Sequence, residues 1–70
     1  MTLQEKIYHT NAMADAIMRG DKYYELCVNS KDDEWRVVSL PAPQRAGTGV
    51  QQRTYAVDKA MDIIVKRTGS

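Results

Sequence analysis

An α+β fold is what this sequence predicts, from two segments of helical periodicity at its ends, a pair of period-two runs between them, and a proline- and glycine-rich stretch before the last helix. The expected order is helix–β-hairpin–long loop–helix (α-β-β-α), with both helices on one face of a small antiparallel sheet. A hairpin alone is marginal in water, so either a short third strand near Val50–Arg53 or homodimerisation is expected to complete the sheet.

The first helix opens on Thr2-Leu3-Gln4-Glu5, the pattern of a capping box in which the threonine hydroxyl and the glutamate carboxylate each accept from the other residue's backbone amide. Leu3, Ile7, Thr10, Ala14 and Ile17 recur at helical spacing, with Met13 and Met18 on the flanks of that stripe. Asp15 stands four residues before Arg19, the favourable order for a helix-surface ion pair, and Gly20 supplies a left-handed stop. The spacing predicts a helix over residues 3–19.

Tyr24, Leu26 and Val28 alternate with Tyr23, Glu25 and Cys27, which predicts a strand with one face inward. Asn29-Ser30-Lys31-Asp32-Asp33 is turn chemistry, because short polar side chains bond their own backbone. Trp35–Leu40 reads as the second strand, ended by Pro41, which has no amide to donate. The last helix is expected to open at Thr54 or Tyr55 and to bury Val57, Ala60, Met61, Ile64 and Val65, with Ala56 and Ile63 beside them. Asp62 and Lys66 are placed for an i,i+4 ion pair, Lys66 and Arg67 suit the negative end of the helix dipole, and Gly69 is the expected stop.

Composition narrows the function. Seventy residues with 43% hydrophobic and 27% charged side chains make one small globular domain near the lower size limit for an unassisted core. One cysteine, Cys27, cannot form an internal disulfide. Together with one histidine, His9, it falls short of the four ligands of a Cys/His zinc site. No apolar run is long enough to span a membrane, and the N-terminal residues lack the pattern of a signal peptide or lipidation motif. A reduced, cytoplasmic protein without metal, cofactor or membrane partner is the expectation.

The net charge of +1 hides an asymmetry: residues 1–35 carry four basic and seven acidic groups, residues 36–70 six basic and two acidic ones. From Trp35 to Val57 there is no carboxylate. Inside that span lies Pro41–Arg53, PAPQRAGTGVQQR, with two prolines, two glycines, three glutamines and two arginines. Long structureless connections in compact domains are usually functional or disordered. With Val50 as its one bulky aliphatic, the segment has little apolar surface to offset the entropy of ordering it. It reads as a basic flexible loop, mobile over Gln44–Val50 until a partner orders it.

Catalytic motifs are missing. Cys27 and His9 could serve as nucleophile and base only with a third orienting group and an oxyanion site, and neither has a local signature. The Gly47-Thr48-Gly49 triplet meets neither the GxxxxGK[ST] nor the GxGxxG pattern, since position 52 is glutamine. No enzyme activity is expected. The remaining resource is Tyr8, Tyr23, Tyr24, Tyr55 and Trp35, more aromatic surface than so small a core can bury, alongside several arginines.

In its compactness, its lack of catalytic residues and its helix-and-hairpin build, the chain resembles the short proteins encoded by phages and other mobile elements. The resemblance is one of general character, carried by no motif, and it implies action by occupying a host protein's surface. A non-enzymatic protein-binding module is therefore the leading expectation, with Tyr23, Trp35, Arg36, Arg45, Gln51, Gln52 and Arg53 as its partner-binding residues. The alternative is weak nucleic-acid binding through residues 36–53, with Arg45 and Arg53 on phosphates and Gln51 and Gln52 probing base edges. A footprint of six basic groups over 35 residues, at pI ≈ 7.9, is thin for a dedicated nucleic-acid binder.

Overall fold

The computed structural model describes residues 2–29 and 34–68. Four elements follow one another: helix α1 (Leu3–Arg19), strands β1 (Tyr23–Asn29) and β2 (Glu34–Ser39), and helix α2 (Gly49–Thr68). The strands form a two-stranded antiparallel sheet, and the helices pack on it, which is the α+β arrangement expected. Of the expected turn at Asn29–Asp33, only Asn29, the last residue of β1, is described, and the expected stop at Gly69 also lies outside the described residues.

α1 begins and ends as its sequence dictates. Thr2 Oγ1 accepts from the Glu5 amide at 3.1 Å, and Glu5 returns the bond to the Thr2 amide at 3.1 Å. The Thr2 amide's bond to the carboxylate, and next the Thr2 hydroxyl, favour its ionised form and hold the Glu5 pKa below its ordinary value. Gly20 closes the helix at φ +88, a left-handed conformation in which its amide reaches back to Ala16 and Ile17.

The core is small and rich in alanine. Met13, Ala14, Ala16 and Ile17 of α1, Leu26 and Val38 of the sheet, and Ala56, Ala60 and Ile64 of α2 are buried. The helices run antiparallel, since Arg53 near the start of α2 meets Asp15, Asn11 and Met18 in the second half of α1. Stepping one turn at a time from Asp15 and Arg53 brings Ile7 level with Met61, and Leu3 level with Val65.

Those four residues correct the expected stripes. Leu3 is 74% exposed, and Ile7, Met61 and Val65 are exposed too, whereas Met13 and Ala16 are buried. Leu3 and Ile7 keep the phase of buried Ala14 but lie in the first turns of α1, where nothing among the described residues covers that face. The expected Asp15–Arg19 pair is replaced by Arg19–Asp21, at 2.9 Å, and by Arg53–Asp15 across the helices. Asp62–Lys66 forms as expected, at 3.2 Å.

The largest correction concerns residues 49–53. They form neither loop nor third strand but the first turns of α2, which starts five residues ahead of the expected Thr54. The reason is a second capping box, Thr48-Gly49-Val50-Gln51. Gln51 Oε1 accepts from the Thr48 amide at 2.8 Å, and Thr48 Oγ1 accepts from the Gln51 amide at 3.1 Å. Gly47 precedes it at φ +96, where a Cβ would strike the Gln51 carboxamide. The connection is thereby shortened to residues 40–48, tied down by the Tyr55 hydroxyl donating to the Ala42 carbonyl at 3.0 Å.

Thr48→Ala is expected to lower stability by about 1 kcal/mol, the usual cost of losing an N-cap. Chemical denaturation checks this; an unchanged midpoint would mean that α2 does not start at its capping box.

Candidate functional site

The pleat sorts the hairpin's side chains into two sets. Tyr24, Leu26 and Val38 point toward the helices, where Leu26 and Val38 are buried and Tyr24 packs partly covered. The pairs Tyr23–Ser39, Glu25–Val37 and Cys27–Trp35 lie on the other side, directly opposite one another across the strands. Three of these are large and open to solvent: Tyr23 at 64%, Val37 at 64% and Trp35 at 61%. Val37 lies in the rank between those of Trp35 and Tyr23, so the three occupy successive ranks of one face. Cys27 is half-buried beside Trp35.

The ladder phase also fixes the backbone at the sheet edges. The Leu40 amide donates to the Lys22 carbonyl at 2.8 Å, which makes Lys22–Leu40 a hydrogen-bonded pair in register with the ladder. Alternation then makes Tyr24–Val38 and Leu26–Arg36 bonded pairs, while Trp35, Val37 and Ser39 turn their N–H and C=O groups away from β1. No further strand among the described residues pairs with that edge.

The residues expected to bind a partner are scattered rather than gathered. Tyr23 and Trp35 share the outer face. Arg36 projects to the opposite face and pairs with Glu34 at 2.5 Å. Arg53 is held by Asp15 and by the Asn11 side-chain oxygen, the latter at 3.2 Å. Gln51 is consumed in the α2 cap, and Gln52 is half-buried near Ile17, Pro43 and Tyr55. Arg45 lies in the connection and makes no ion pair among the described residues. Val37 was missed by sequence reading, although it is in phase with Trp35 two residues earlier.

Cys27 and His9 are not brought together. His9 sits on the helix side, its Nδ1 at 3.0 Å from the Tyr24 hydroxyl and its ring edge-on to Tyr8, while Cys27 belongs to the outer face of the sheet. Among the described residues no three His, Cys, Asp or Glu side chains converge. A depression of about 580 Å³ beside the start of α2 is walled by Ala46, Val50 and Tyr55. Its amides are engaged locally, Gln51 with Thr48 and Gln44 with the Ala46 carbonyl. No helix among the described residues is long and apolar enough to cross a membrane.

Burial raises the pKa of Tyr24 above its ordinary value, and the nearby Tyr8 adds to the shift. Because the folded state holds this proton more tightly than the unfolded chain, the resulting stability is full below the unfolded tyrosine pKa, near 10, and is lost as pH rises through the higher folded value. Absorbance titration is expected to show one phenol ionising late, absent in Tyr24→Phe; a wild-type curve matching the variant's apart from one ordinary tyrosine would contradict this.

Compared with known proteins, the chain matches no family model, no curated protein and no solved structure.

Proposed function

We propose that this chain is a non-enzymatic protein-binding module that acts by occupying a partner protein's surface with the outer face of its hairpin. The observation that supports this reading most is the Tyr23–Val37–Trp35 strip, three large side chains each more than 60% exposed on one face of the hairpin. Tryptophan and tyrosine carry large contact area at little conformational cost and dominate binding energy where they are fully desolvated. Contiguous exposed apolar patches are markers of interaction sites.

Charge weighs against nucleic acid. Of the arginines in the acid-free segment, Arg36 and Arg53 already have carboxylate partners, and the Gln51 side chain caps a helix. What remains in the basic half for phosphates is Arg45, Lys59 and the end of α2, too little for the salt-dependent affinity of a dedicated binder.

Affinity capture from nuclease-treated lysate tests the reading. Wild-type protein is expected to retain a stoichiometric protein partner, and Arg45→Ala to retain it equally. Trp35→Ala should weaken it by about 2 kcal/mol, some ~30-fold in Kd, as for a buried aromatic anchor. Capture indifferent to Trp35→Ala, or recovery of nucleic acid alone from untreated lysate, would contradict it.

A further inference from the structure

The sheet is narrower than the helix layer that rests on it, and one side of that mismatch is shaped. Between β2 and α2 runs a groove of about 400 Å³ lined by Val38, Ser39, Asp62, Ile63, Lys66 and Arg67. No residue of β1 or α1 contributes to it, so it lies on the side of β2 away from its partner strand. Its floor is apolar, Val38 and Ile63. Its rim carries the Asp62–Lys66 pair and Arg67, which has no carboxylate partner among the described residues, leaving an excess of one positive charge. Of the three residues whose backbone groups turn away from β1, Ser39 lines the groove, and Val37 and Trp35 precede it along the same edge.

We propose that this edge and groove take an extended segment of a partner protein as a third strand, with acidic side chains alternating toward the groove and apolar ones toward the outer face. This rests on the protein-binding reading above and specifies how the partner is held. Main-chain bonds to Trp35, Val37 and Ser39 supply the pairing, and alternate side chains supply selectivity. A glutamate facing inward lays its methylenes over Val38 and Ile63 and brings its carboxylate to Lys66 and Arg67. A valine facing outward stands beside Trp35 and Val37 and extends the exposed strip.

A second copy does not fit the same place. Twofold pairing of β2 with its copy is antiparallel and sets both helix layers on one side of the joined sheet. Such pairing would place the Lys66 and Arg67 rims of the two copies on the same side of adjoining strands, setting like charges together. A bare acidic strand carries no such rim and meets no such repulsion. Charge separates ligands in the same way, since a basic segment would place like charges against Lys66 and Arg67.

The test uses a fluorescein-labelled heptapeptide alternating valine with glutamate, read by anisotropy at low ionic strength. Saturable binding is expected, together with loss of binding when valine is alternated with lysine or when the amides facing β2 are N-methylated. On the protein, Val37→Pro removes an edge donor that β1 does not use and should abolish binding, whereas Val37→Thr keeps the donor and should only weaken binding through the lost apolar contact. Lys66→Glu/Arg67→Glu should weaken it at least ~10-fold, as loss of two charge-assisted contacts implies. Circular dichroism confirms that each variant is folded, and the charge variant gives the answer if Val37→Pro is not. Absence of saturable binding, or binding indifferent to N-methylation and to the charge reversal, would overturn the proposal. So would a wild-type dimer in sedimentation that Val37→Pro dissociates. Partner capture that depends on Trp35 but not on the groove variants would remove the third strand while leaving the protein-binding reading in place.

Discussion

The close approach of α1 and α2 is the constraint on which the other features depend. Four of the nine buried hydrophobic side chains are alanine, and three of these, Ala14, Ala56 and Ala60, belong to the cluster shared by the helices and the sheet. Small residues let two helix backbones pack closely, and the bulk of the core is then supplied by Met13, Ile17 and Ile64 with Leu26 and Val38 beneath. Arg53 stitches the pair from the solvent side through Asp15 and Asn11. In this chain the helix pair forms the body of the protein, and the hairpin is a narrow cover on one of its faces.

From that narrowness the proposed binding surface follows. Two strands shield little more than Leu26 and Val38, so everything on the far side of the sheet meets water, and the ladder ends at β2 with its donors and acceptors directed outward. Natural sheets commonly protect such an edge with lysine, proline or a bulge. β2, EWRVVS, has no proline or lysine, its irregularity lies only at its start opposite Cys27 and Asn29, and its Arg36 is already neutralised by Glu34. Pairing-competent backbone, an aromatic strip and a basic-rimmed groove thus lie on adjoining surfaces of one strand.

Local chemistry was legible in the sequence where neighbours decide it. The first helix, from its capping box to Gly20, and the strand alternation that puts Tyr23 and Trp35 on one face, depend on residues within a few positions of one another. The start of α2 was equally local, since Thr48 and Gln51 stand at capping-box spacing. Gly49 and the proline-rich approach mask that signal, because both favour a loop. Other features were not local. Periodicity identifies an apolar face but not what covers it: Leu3 and Ile7 keep the phase of Ala14 in the first turns of α1, where nothing among the described residues covers them. Nor could spacing disclose that Arg53 meets Asp15, 38 positions earlier in the chain, and so leaves the basic segment. The groove arises from a mismatch of layer widths, which no single segment encodes.

Amide hydrogen exchange along β2 in the free protein tests the central claim, an open and pairing-competent edge, most directly. Arg36 and Val38, whose amides point into the ladder, should be protected, while Trp35, Val37 and Ser39 between them exchange at nearly unstructured rates. Equal protection of all five amides would mean that the edge is already covered, and would contradict this account.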